Sequence, residues 1–138
     1  MTYSFKYFLS VFSILLIGFI FSGCEKEIGD VLLPESISPF EGEHTISITG
    51  NLTGQKEIEI NNRGNFAFFV ELFPPGSNYP AYPIIITGFV TKEGNLEGKV
   101  YRYQEAIGVI NGQLAQGNIS FDYSGFHMEG IYNMTGGN

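Results

Sequence analysis

From residue 44 onward, apolar and polar side chains alternate with a period of two, the pattern of half-buried β-strands. No window sustains the 3.6-residue period of an amphipathic helix. Thr45-Ile46-Ser47-Ile48-Thr49 sets Ile46 and Ile48 on one face, and Glu57-Ile58-Glu59-Ile60 does the same with its isoleucines. Phe66, Phe68, Val70 and Leu72 form the longest apolar row. The stretch from Pro83 to Thr91 is apolar on both faces, which predicts the most buried strand. Four more strands are predicted over 96–103, 107–110, 119–123 and 126–132. Between them lie residues that tolerate positive φ: Asn61-Asn62-Arg63-Gly64, Lys92-Glu93-Gly94-Asn95, Asn111-Gly112, Gln116-Gly117-Asn118 and Ser124-Gly125. Asn111-Gly112 gives the strongest hairpin signal, and Ser124-Gly125 suits a two-residue turn.

About eight short strands with short connections and no helix predict an all-β antiparallel meander. Without helices to cover a sheet, the apolar faces are buried by closing a small barrel or by stacking two layers as a β-sandwich. Gly88, Gly98, Gly108 and Gly130 fall inside strand patterns, where a tightly coiled sheet needs bends, and they favour the barrel. The spacing Gly-Asn-Leu-x-Gly occurs at 50–54 and again at 94–98, which reads as one turn-then-strand solution used twice.

Composition narrows the function. At 138 residues the chain holds one domain, with 18 Gly, 13 Phe, 8 Tyr and no Trp. A net charge of -7 argues against nucleic acid as a partner, since a phosphate backbone requires clustered Lys and Arg. One Cys cannot form an internal disulfide, and two His with one Cys do not make a structural zinc set. No metal and no cofactor is expected.

The first segment is a targeting signal by its pattern. Lys6 precedes the apolar run from Tyr7 to Phe21, whose 15 residues are short for a membrane span and suit a signal peptide core. Phe21-Ser22-Gly23-Cys24 then resembles the lipobox of bacterial lipoproteins, with Phe where that family usually carries Leu. The resemblance implies cleavage after Gly23, thioether lipidation of Cys24, and a membrane as partner through that lipid. The resulting division is a signal peptide over 1–23, a lipidated Cys and acidic tether over 24–43, and an all-β domain over 44–138. Lys6 is the one charged side chain lost, so cleavage moves the net charge from -7 to -8. The implied location is the cell envelope, on the outer membrane and facing the periplasm or the surface. Glu25-Lys26-Glu27 resembles the charged export tag of some surface lipoproteins.

Four places carry candidate chemistry. Phe73 to Pro83 packs four prolines and three aromatics into the longest irregular stretch, a stiff loop predicted to present Tyr79 and Tyr82 to a partner. Tyr101 and Tyr103 are predicted on the outer face of one strand, with Arg102 directed inward and needing a carboxylate or an opening. His127 is read as the one strand histidine, sharing an outward face with Glu129, and His44 lies near Glu41 and Glu43 at the start of the domain. No nucleophile, base and orienting acid converge, so the chain is read as non-enzymatic. The plan of lipobox, tether and eight-strand meander resembles small lipoproteins with lipocalin-like barrels, which implies a binding role, including carriage of a small apolar ligand. Ser124-Gly125-Phe126-His127 resembles the Ser-Gly loop of lipoprotein barrels that inhibit lysozyme, implying inhibition of an extracellular enzyme. In that group a basic residue and a disulfide support the loop, and both are missing from this sequence.

Overall fold

The computed structural model describes residues 37–137. The apolar run, the lipobox with Cys24, and the tether up to residue 36 lie outside the described residues. The described chain forms eight strands: β1 (Gly42–Gly50), β2 (Gly54–Ile60), β3 (Asn65–Leu72), β4 (Tyr82–Val90), β5 (Asn95–Arg102), β6 (Glu105–Gln113), β7 (Gln116–Tyr123) and β8 (Phe126–Gly136). All neighbours pair antiparallel in one sheet, in the order β2-β1-β8-β7-β6-β5-β4-β3. Because β1 pairs with β8, the meander curls on itself into a nearly closed barrel, a single sheet and not a sandwich.

The seam runs between β2 and β3. Their ends are joined by a turn in which the Asn61 N–H donates to the Asn65 carbonyl at 3.0 Å, and by one bridge between Thr53 and Phe73. Between those points the two edges share no ladder, and Ile58, Ile60, Val70 and Leu72 bury the gap with side chains. Lys56 sits opposite the inward-facing Ile46 yet is exposed, so this edge carries a charge where a pairing strand would dock.

The inward row is filled. Ile60, Leu72, Ile86, Leu96, Val100 and Tyr132 have no accessible surface at all. A cavity holding even one water would expose its lining, so no open space borders these side chains. The close strand spacing relies on glycine. Gly88 and Gly98 face each other across β4 and β5, and a Cβ on Gly88 would lie 2.8 Å from the Gly98 Cα. The sheet bends at one bulge, where β5 shifts register against β6 between Val100 and Tyr101.

Several sequence expectations change. β4 is not buried on both faces: Ile84, Ile86 and Val90 are buried, whereas Ile85 and Phe89 are 38% and 43% exposed, since no second layer covers the outside of the barrel. Asn111-Gly112 and Gln116-Gly117-Asn118 are not turns. They lie in β6 and β7, and the hairpin reverses at Leu114-Ala115 instead. Gly112 and Gly117 face each other beneath the Tyr132 ring, so packing of a distant side chain overrode the local turn preference. The domain also begins earlier than residue 44. β1 starts at Gly42, the Ser38 N–H donates to the Asn62 carbonyl at 2.7 Å, and Phe40 packs against the core. The two Gly-Asn-Leu-x-Gly spacings turn the chain at opposite ends of the barrel, the first between β1 and β2 and the second between β4 and β5.

Alternating strand direction defines two rims. The near rim holds residues 37–41, where the described chain joins the barrel, and the β2–β3, β4–β5 and β6–β7 turns. The far rim holds the β1–β2 turn, the 73–81 loop and the β5–β6 and β7–β8 turns.

Candidate functional site

Among the described residues, the far rim carries the three most exposed aromatics. Tyr79 and Tyr103 are each 82% exposed and Phe126 is 67% exposed. The predicted loop pair splits. Tyr79 is presented to solvent from a loop exposed over residues 75–81, where the Ser77 hydroxyl donates to the Tyr79 carbonyl at 2.7 Å. Tyr82 is not presented. It begins β4, packs on the core, and meets the Tyr123 ring edge-to-face at 5.1 Å between centroids.

The predicted tyrosine pair also separates. Tyr101 lies near the end of β5, half-buried, in an outward row with Ile85 and Phe69, which stand opposite one another in register. Tyr103 is outside the strand. It forms the β5–β6 turn with Gln104, because Arg102 already pairs with Glu105. Its φ of 56° is left-handed, and at the first position of a two-residue turn glycine is the usual occupant. Holding a bulky aromatic there costs roughly 1–3 kcal/mol. The neighbouring β7–β8 turn follows the expected chemistry, with Ser124 at φ 52° and Gly125 at φ 83°.

Arg102 reaches inward at the strand end, as expected from alternation, but its partners are aromatic and not acidic. Its guanidinium carbon lies 4.3 Å from the Tyr123 ring centroid and 5.6 Å from that of Tyr103, both within cation–π range. Its Nη1 donates to the Ser124 hydroxyl at 2.7 Å. Its Nε is buried with no acceptor, which costs about 1–3 kcal/mol. Among the described residues no carboxylate pairs with Arg102, although the chain has 14 acids to 7 bases. Neither Tyr123 nor Ser124 is legible as a partner in the sequence, since they lie more than 20 residues away, at the end of β7 and in the turn after it, and β7 is not adjacent to β5.

Between β4 and β5 the ladder stops at Ile85 and Tyr101, although β4 begins at Tyr82 and β5 runs to Arg102. The strands part there and leave a notch of about 100 Å³, lined by Phe69, Pro83, Ile85, Tyr101, Arg102 and Tyr103 among others.

The two histidines fall into different settings. His127 and Glu129 share the outward face, and cross-strand register adds Asp122, which the linear sequence does not place there. His127 Nδ1 lies 2.7 Å from Asp122 Oδ1, and Nε2 lies 3.2 Å from Glu129 Oε1. Asp122 first, then Glu129, raises the His127 pKa above its usual value. His127 is not the one strand histidine: His44 lies in β1, buried, with Nε2 2.8 Å from the Phe40 carbonyl. Glu41 and Glu43 are exposed while His44 points into the core, so the three do not converge. Among the described residues, no group of His, Cys, Asp and Glu is arranged to hold a metal ion.

Compared with known proteins, the chain matches no family model, no curated protein and no solved structure.

Proposed function

We propose that the protein is a lipid-anchored, non-enzymatic binding domain of the cell envelope whose far rim is the contact surface. The observation that carries this reading is the placement of Tyr79, Tyr103 and Phe126, all exposed, at the rim opposite residues 37–41. Rigid aromatics give contact area at low entropy cost. A tether attached at the near rim leaves such a surface free. The filled interior favours contact at the surface over carriage of an apolar ligand inside the barrel. The anchor rests on Phe21-Ser22-Gly23-Cys24. Metabolic labelling with a fatty acid that carries a detectable tag tests it: the wild type takes up label and partitions with membranes, and Cys24→Ala does neither. A Cys24→Ala chain that stays membrane-bound overturns the anchor. For the rim, a partner captured from envelope extract by the wild type is lost with the Tyr79→Ser, Tyr103→Gly, Phe126→Ser triple variant. Capture that survives the triple variant overturns the rim as contact surface.

A second reading, inhibition of an extracellular glycosidase, gains support from the Arg102–Ser124 contact. The Ser-Gly turn has no basic neighbour in sequence, but the fold brings Arg102 within 2.7 Å of the Ser124 hydroxyl. Lysozyme activity measured with and without the full-length chain tests it. Inhibition relieved by Arg102→Ala and by Ser124→Ala supports the reading, and unchanged activity overturns it.

A further inference from the structure

Four independent features meet at the notch between β4 and β5. The β4–β5 ladder ends early at Ile85 and Tyr101. Opposite Val100 and Tyr101 a bulge leaves Ile107 of β6 as the extra residue and bends the sheet there. Tyr103 holds a left-handed φ that a glycine would adopt without strain. Arg102 Nε is buried without an acceptor. Neither the left-handed Tyr103 nor the unpaired Arg102 Nε serves the seam, which lies elsewhere, between β2 and β3. Both are local costs, retained at two consecutive residues.

Together they have a common chemical complement. A guanidinium offers two parallel N–H groups along its Nε edge, and a carboxylate fills both at once. Arg102 is held by the Tyr123 ring on one side and by the Ser124 hydroxyl at Nη1, which leaves its Nε edge without a partner before any ligand arrives. The Tyr103 ring lies 5.6 Å from the guanidinium carbon and, being largely exposed, has little packing to hold it there. The rest of the notch is apolar, made by Phe69, Pro83, Ile85 and Tyr101. Its volume of about 100 Å³ is well below the ~300 Å³ at which drug-sized pockets begin, so it accepts one ring or one side chain only.

We infer that the notch is a binding site for a carboxylate attached to a single apolar or aromatic group, with Arg102 pairing the carboxylate and the Tyr101 and Ile85 side receiving the apolar part. Two sources share this chemistry: a free small acid, and the C-terminal residue of a peptide. The inference deepens the rim reading and rests on it, but its failure is separable, because two of the three capture residues, Tyr79 and Phe126, lie outside the notch.

Phenylacetate, its neutral counterpart phenylacetamide, and a short peptide ending in Phe with a free or an amidated terminus are titrated into the full-length chain. Binding is followed by NMR at the Arg102 Nε–H and the Tyr101–Tyr103 amides. Tyrosine fluorescence serves as a second readout, unobscured because the chain has no Trp. Phenylacetate is expected to shift the Arg102 Nε–H saturably in the millimolar range, and loss of its charge to weaken binding about tenfold or more. Arg102→Lys, which keeps the charge and lacks the fork, is expected to lose a similar factor while retaining the wild-type fold. Tighter binding of the free-terminus peptide than of phenylacetate assigns the site to a peptide terminus, and the reverse assigns it to a small acid. Equal binding of phenylacetate and phenylacetamide, or no saturable shift at Arg102 with either acid, overturns the site. Partner capture by the rim persisting in that case overturns the notch alone.

Discussion

The Tyr132 hydroxyl donates to the Gln113 carbonyl at 2.6 Å, from a side chain with no accessible surface. This bond ties β8 to the end of β6 across the intervening strand, just before the chain reverses into β7. Burial pushes the Tyr132 phenol up to about 12. The neutral form is favoured in the folded state, so its contribution is fully present below the ordinary tyrosine pKa of about 10 and is lost as pH rises through about 12. Ultraviolet titration should therefore show one tyrosine ionising well after the exposed ones. Tyr132→Phe removes this part-buried hydrogen bond and should cost about 0.5–1.5 kcal/mol in urea denaturation.

Gly117→Ala attacks the same pair from the other side. A Cβ there would meet the Asn111 carbonyl and lie 2.5 Å from both the Tyr132 ring and its hydroxyl. The obstacle is backbone on one side and a fully buried ring on the other, so neither yields cheaply. The expected loss is about 1–3 kcal/mol. A variant with unchanged thermal midpoint would show that β7 can shift against Tyr132.

Tyr103→Gly should separate stability from binding. Relief of the left-handed φ of 56° is expected to raise stability by about 1 kcal/mol. The same change removes an 82% exposed ring from the far rim and one of the two aromatic faces over Arg102. Denaturant midpoints should rise while partner capture falls. A midpoint that falls would mean that the ring stabilises the turn more than its backbone strains it.

His127 gives the chain a pH dependence of defined sign. Asp122 and then Glu129 raise its folded-state pKa above 6.5, so the favourable contribution is fully present below that value and is lost as pH rises through the raised one. The group is fully exposed, so the effect is small and screened by salt. NMR titration should place the imidazole pKa above 6.5 in the wild type and lower it in Asp122→Asn. Urea midpoints across about pH 5 to pH 9 should flatten in His127→Gln.

Alternation alone made the strands legible. The inward positions of Ile46 and Ile48, of Ile58 and Ile60, and of Phe66 to Leu72 follow from a period of two, which is local backbone geometry. The Ser124-Gly125 turn was legible for the same reason, because its two positive φ values are a property of those residues. Asn111-Gly112 has equal local preference and still lies in a strand. Its register is set by Gly117 opposite and Tyr132 above, more than 19 residues away.

The candidate site divides along the same line. The sequence by itself determined that Tyr101 faces outward and that Arg102 turns inward, since each follows from strand parity, whereas loop composition treated Tyr79 and Tyr82 alike and only the fold separated them. Only the tertiary structure decided what Arg102 meets. Barrel curvature carries Tyr123 and Ser124 across the intervening β6 to it, packs Tyr82 against Tyr123, and parts β4 from β5 to open the notch. Those contacts depend on the strand order and stagger of the closed sheet, which no window of neighbouring residues encodes.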